Sequence, residues 1–137
     1  MKIYFAGSIR GGRDDAQIYF QIIDFLKAYG QVLTEHVGSE ELMDKGESKL
    51  SDKSIHDRDM SWLLESDLII AEVTNPSLGV GYEIGRAIEL NKDIVCLHRT
   101  EKGKRLSAMI AGSKNLSIIR YDTFNTLKKE LKRLLSS

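Results

Sequence analysis

The run Leu68-Ile69-Ile70-Ala71-Glu72-Val73 constrains the fold more than any other stretch of this chain. It is too short for a buried helix and nearly all apolar, which suits a strand covered on both faces. A strand covered on both faces needs helical layers above and below it. The run passes into Asn75-Pro76-Ser77-Leu78-Gly79-Val80-Gly81-Tyr82-Glu83-Ile84-Gly85-Arg86-Ala87, where Ile84, Ala87 and Ile88 take up helical spacing. Such a strand-loop-helix unit aims the first N–H groups of its helix, and the positive end of the dipole, out of the carboxyl edge of the sheet. An anion is favoured there. Gly81 and Gly85 are expected to leave one helix face bare enough for a sheet or ligand to come close. Glu83 is expected in the first turn, where the dipole favours the ionised carboxylate and keeps it ready as nucleophile or base. A solvated first-turn acid is the plainer alternative.

The other segments fit around this unit. Residues 2–6 read as the first strand, ending in Gly7-Ser8-Ile9-Arg10-Gly11-Gly12-Arg13. That loop offers backbone N–H groups, the Ser8 hydroxyl and a forked donor at Arg10 or Arg13, the chemistry of a phosphate cradle, although it matches neither Walker A nor G-x-G-x-x-G. Ile18, Ile22, Phe25, Leu26 and Tyr29 share one face of a helix over 14–29, with Gly30 as its stop. Residues 32–34 form a short strand, and the polar segment 35–53 reads as a lid or a disordered loop. In a helix over 54–66, Ile55, Trp62 and Leu63 fall on one face and Asp59 projects between them. An inward carboxylate is costly unless paired, so Asp59 either salt-bridges locally or lines a pocket with Glu83. Strands at 93–97 and 117–121, a basic loop with Arg99, Lys102, Lys104 and Arg105, an apolar turn at 106–110 and a helix over 123–135 complete the chain. The class is α/β: a doubly wound, five-stranded, mostly parallel sheet with helices on both faces, Rossmann-like. Its ligand site lies outside the carboxyl ends of the strands.

Composition removes several alternatives. With 137 residues the chain suits one domain. Its 20 basic and 20 acidic residues leave no global field to attract nucleic acid or an anionic membrane. Lys128, Lys129, Lys132 and Arg133 suit the end of the last helix and read as a solvated face. Cys96, the single cysteine, sits in an apolar run and is expected to pack rather than react, in a reducing compartment. No apolar run is long enough to span a bilayer and no cationic leader is seen, so the expected location is cytoplasmic, or nuclear in a eukaryotic host. His36, His56 and His98 each lack a second metal-type residue at useful spacing, and no metal or cofactor is expected.

Several segments, taken in order, resemble the 2'-deoxynucleoside 5'-phosphate N-hydrolases of the nucleoside 2-deoxyribosyltransferase superfamily. They are Tyr4-Phe5-Ala6-Gly7-Ser8-Ile9-Arg10-Gly11-Gly12, Leu33-Thr34-Glu35-His36-Val37, Ile55-His56-Asp57-Arg58-Asp59, Ala71-Glu72-Val73-Thr74, Pro76 through Ala87, and Leu106-Ser107-Ala108-Met109-Ile110. The resemblance covers most of the chain and is weakest over 38–53. It implies cleavage of the N-glycosidic bond of deoxynucleoside 5'-monophosphates to a free base and 2-deoxyribose 5-phosphate by a homodimer. It makes Glu83 the nucleophile, Asp59 the acid/base partner and Tyr4 a tyrosine beside the reaction centre. Substrate binding falls to Gly7, Ser8, Ile9, Arg10, Gly11, Ser77, Gly79 and Ser107, with Ser107 supplied across the dimer interface. Two carboxylates, one attacking and one handling protons, are also what retaining glycosidic chemistry needs. The same resemblance leaves open the transferase of that superfamily, which passes deoxyribose to another base, and from a different class a non-catalytic nucleotide-binding module remains open. Phosphate donors in two loops favour nucleotide hydrolysis over the first. A pair of acids beside a bound phosphate argues against the second.

Overall fold

The computed structural model describes residues 1–8, 13–34, 50–101 and 103–136. Five strands, β1 (Lys2–Ala6), β2 (Gln31–Val32), β3 (Leu68–Glu72), β4 (Asp93–Arg99) and β5 (Ser117–Tyr121), form one sheet in the order β2-β1-β3-β4-β5. Every pairing is parallel, so the expected mostly parallel sheet is wholly so. The strand order reverses at β1, which lies between β2 and β3. A crevice therefore opens at the carboxyl ends of β1 and β3.

The described helices are α1 (Arg13–Leu26), α2 (Asp52–Glu65), α3 (Leu78–Glu89), the short α4 (Ala108–Ala111) and α5 (Phe124–Ser136). Side chains alternate across each strand and divide the core into two layers. Ile3, Phe5, Leu68, Ile70, Val95 and Leu97 pack against α1 and α5 through Ile22, Leu26, Leu127 and Leu131. Tyr4, Ala6, Ile69, Ala71, Ile94 and Cys96 meet α2 and α3 through Leu63, Val80, Ile84 and Ala87. All five residues of β3 are buried, as a strand with both faces covered requires. Cys96 belongs to the second layer, and burial pushes its thiol up to about 12, so it packs and does not react.

Several boundaries move for local reasons. Helix α1 ends at Leu26 instead of continuing to Tyr29, because the chain must turn for Gln31 N–H to reach the Met1 carbonyl and open β2. A Cβ on Gly30 would run into the Met1 carbonyl oxygen, which explains the glycine at this crossing. The strand expected over 32–34 is only Gln31–Val32. Beyond it, the Thr34 hydroxyl accepts from Phe5 N–H at 2.8 Å and donates to Phe5 C=O at 2.7 Å, replacing the missing ladder bonds. Helix α2 starts earlier than expected, capped by Ser51, whose Oγ accepts from Ser54 N–H at 3.1 Å. The end of the expected 35–53 lid is thus helical, while 35–49 lies outside the described residues.

Candidate active site

The second-layer face of the sheet supplies the floor of the crevice. Strand alternation turns Tyr4 of β1 toward α2 and α3, and its hydroxyl donates to Glu83 Oε2. Glu83 does not lie in the first turn of its helix. Ser77 is the N-cap, its Oγ accepting from Val80 N–H at 3.3 Å, so α3 begins at Leu78 and Glu83 falls in the second turn. It sits between Val80 and Ile84 on one side and Ala87 on the other, all buried. This placement reverses the expected electrostatics. Burial pushes the Glu83 carboxyl up to about 7, the Tyr4 hydrogen bond opposes that rise, and the Asp59 charge adds to it. The Tyr4 phenol is raised as well, by burial first and then by the Glu83 charge, so it remains a donor.

Asp59 comes to the same place from α2. Its side chain is 24% exposed, and Oδ1 pairs with the Arg58 guanidinium at 3.0 Å. The guanidinium carbon lies 4.8 Å from the centre of the Trp62 ring, a cation–π contact that restrains it. Sequence reasoning offered Asp59 a local salt bridge or a pocket-lining role with Glu83; the structure shows the local salt bridge, with Arg58. Its charge reaches Tyr4 and Glu83, and its partner is the next residue along the helix. The face bearing Gly81 and Gly85 turns to solvent, with open space where a Cβ would sit, and so does not meet the sheet.

Beside these groups, Ser77 and Ser107 line one cavity of about 400 Å³ with Asn75, Gly81, Ile84 and Arg105. Ser107 caps α4, accepting from Met109 N–H at 3.3 Å. Both serine oxygens accept from backbone, so each hydroxyl hydrogen can be directed to an anion. Gly79 is exposed in the first turn of α3, with Ser77 Oγ its nearest neighbour. In the first glycine loop, Gly7 packs so closely on Tyr19 that a Cβ would approach the ring to 2.8 Å. The Ser8 N–H, expected to face an anion, donates instead to the Tyr19 hydroxyl at 3.0 Å. Ile9, Arg10 and Gly11, the side chain of Arg13, and His36 lie outside the described residues. Among the described residues, no group of three or more His, Cys, Asp or Glu side chains is arranged to hold a metal ion.

Sequence reasoning missed a polar cluster behind the loops. Asp15 and Glu72 are buried acids, 3% and 1% exposed. Asn75 Nδ2 and Arg99 donate to Asp15, and Lys104 Nζ donates to Asn75 Oδ1 at 2.6 Å. Glu72 accepts from Thr74 N–H, Thr74 Oγ1 and the Tyr121 hydroxyl. The signal was present for Asp15, which stands at positions i−3 and i−7 from Ile18 and Ile22 and so shares their inward face.

The model of the family described as nucleoside 2-deoxyribosyltransferase matches residues 3–117. A 5-hydroxymethyl-dUMP N-hydrolase of Danio rerio is 63% identical over 113 residues, covering 82% of this chain and 79% of that protein. A Homo sapiens protein of the same name is 48% identical over 134 residues, 97% of this chain and 76% of the other. Among solved structures, a CMP N-glycosidase from Clostridium botulinum superposes with a TM-score of 0.70 at 20% identity, covering 98% of this chain and 99% of that one. At that identity the likeness concerns the fold.

Proposed function

Because the chain belongs to the nucleoside 2-deoxyribosyltransferase family, we propose that its activity is hydrolysis of the N-glycosidic bond of 2'-deoxynucleoside 5'-monophosphates. The products are the free base and 2-deoxyribose 5-phosphate. The observation that carries this reading is the buried Glu83 carboxyl held by the Tyr4 hydroxyl within reach of the Asp59 charge, at the carboxyl edge of the sheet. Ionised Glu83 attacks the anomeric carbon through an oxocarbenium-like transition state as the C–N bond breaks. Tyr4 fixes Oε2 by hydrogen bonding. Asp59, oriented by Arg58, in its protonated form gives that proton to the departing base and then, as the carboxylate, takes one from the water that opens the glycosyl ester and frees Glu83. Deoxyribose lacks a 2-hydroxyl, whose electron withdrawal would hinder that transition state.

The 5'-phosphate is assigned to Ser8, Arg10, Gly79, Ser77 and the other donors of the two glycine loops. Ser107 is assigned to the phosphate site of a partner subunit in a homodimer. Leu78 and Met109, 96% and 84% exposed beside the Ser77–Ser107 cavity, support an apolar interface there. Incubation with a panel of deoxynucleoside monophosphates, beginning with the 5-hydroxymethyl-dUMP of the relatives' names, should release free base. Methanol should trap a methyl glycoside with the substrate's configuration, since two inversions restore it. Inverted product would replace the covalent route by direct attack of water. A free base added in place of methanol reads the transferase alternative, favoured by the family's name, through formation of a new nucleotide.

A further inference from the structure

We infer that Asp15, outside the reacting groups, is a positioning residue that sets Ser8 and the Ser77 loop of its own subunit's phosphate site in register, together with the loop that presents Ser107 to the partner subunit's site; the inference rests on the phosphate reading above. Asp15 stands in the first turn of α1, and its side chain is only 5% exposed. A buried acid is costly, and an apolar side chain of similar volume often serves the fold as well, so the charge needs a use. Its oxygens reach two separate loops. Oδ2 accepts from Asn75 Nδ2, in the loop that continues into Pro76 and the cap Ser77. Oδ1 accepts from Arg99 at 3.1 Å, at the end of β4, where the chain departs toward Ser107.

Further bonds tie these contacts together. Asn75 Oδ1 accepts from Lys104 Nζ at 2.6 Å, joining the same two loops a second time. Arg99 N–H donates to Thr74 Oγ1 at 2.8 Å, and Arg99 Nε to Glu101 at 2.6 Å. Four residues beyond Asp15 on α1, the Tyr19 hydroxyl accepts from Ser8 N–H at 3.0 Å. One helix thus holds Ser8 directly and, through a single carboxylate, the segments leading to Ser77 and Ser107. A phosphate contacted by Ser8 and Ser77 of one subunit and by the loop carrying Ser107 of the other is bound well only if those donors keep a fixed spacing, because a shift of about 1 Å costs much of such an interaction. Asp15 supplies that spacing without touching the scissile bond.

The test compares a deoxynucleoside monophosphate with its deoxynucleoside on the full chain. Asp15→Asn leaves its amide NH2 facing a donor at either Asn75 or Arg99, where the carboxylate accepts from both. Its KM for the monophosphate should rise about tenfold, the loss expected for one charge-assisted hydrogen bond, with kcat within about threefold. Turnover of the deoxynucleoside should stay within about twofold of wild type, and the swap Asp15→Asn with Asn75→Asp should recover most of the monophosphate KM. If Asp15→Asn fails to fold, Lys104→Met, at the exposed end of the same chain of bonds, should show the same selective rise in KM. Equal losses on both substrates, or an unchanged KM, overturn the proposal alone. A wild type that uses both substrates equally well overturns the phosphate reading and this inference with it.

Discussion

Replacing Glu83 by Gln should make the protein more stable while abolishing its activity. In the folded chain this carboxyl rises from 4.5 to about 7, chiefly through burial. A folded pKa above the unfolded one means that the folded state keeps its proton longer. Below about pH 4 both states are neutral at this site and it contributes nothing. Between 4.5 and 7 the unfolded chain ionises first, so stability falls as pH rises, and above that window the cost is constant. At about 1.36 kcal/mol per pKa unit, the full cost is about 3 kcal/mol. Gln cannot ionise, and its Oε1 can still accept from Tyr4. Its Nε2 needs a partner in a buried site, at a cost of about 1 kcal/mol. Urea unfolding should therefore find Glu83→Gln about 2 kcal/mol more stable than wild type at pH 8.5 and no more stable at pH 4. Other carboxylates titrate in both proteins and largely cancel in the difference. Turnover should fall by at least about a thousandfold. Parallel stability curves, offset equally at every pH, would refute the reasoning, because Glu83 would then titrate as an exposed acid does.

The same pKa sets the kinetics: kcat/KM should fall on the acid side of about pH 7. Tyr4→Phe, which removes the bond holding that value down, should move this limb upward by about one pH unit, whereas a limb due to the substrate phosphate would stay in place. Among the described residues, His98 is buried with no partner for either ring nitrogen, and burial and Arg120 lower its pKa. The unfolded chain therefore binds its proton first as pH falls. His98→Phe should stabilise by about 1–2 kcal/mol at pH 8, and by more at pH 5.5, in chemical denaturation; equal stability at both pH values would count against it. Gly7→Ala should cost about 1–3 kcal/mol in the same assay, because its Cβ would press on the Tyr19 ring at 2.8 Å.

The sheet was legible where local pattern and tertiary burial agree. Leu68 to Glu72 is apolar because both faces are covered, and no other arrangement makes that run comfortable. Helix α5 could be read from the spacing of Leu127, Leu131, Leu134 and Leu135, expected inward; Leu127 and Leu131 are buried and Leu135 packs beside them, whereas Leu134 is exposed. Strand β2 was placed a residue late because half of its pairing is done by the Thr34 side chain, which no strand propensity reports. The first turn of α3 was also available in principle: Pro76 followed by Ser77 is a stop and a cap, and counting from that cap puts Glu83 in the second turn. Gly81 and Gly85 do not bring the helix close to the sheet, since a Cβ on either would meet nothing within 4 Å.

The protonation of the site was not legible, because its causes are distant in sequence. Tyr4 and Glu83 are 79 residues apart and Asp59 arrives on a third element, so nothing within a window of sequence reports their meeting. Two effects of opposite sign then compete for Glu83. A helix dipole stabilises a nearby carboxylate by about 0.3–1 kcal/mol, and mostly within the first turn. Burial to a pKa of about 7 outweighs it at about 3 kcal/mol. The second-turn position therefore decides the sign twice, by moving Glu83 beyond the reach of the dipole and by bringing its carboxyl to the Tyr4 hydroxyl of the sheet, where it is largely desolvated. A carboxylate made costly in this way is a stronger nucleophile once ionised, and Tyr4 is the group that keeps the ionised form accessible at neutral pH.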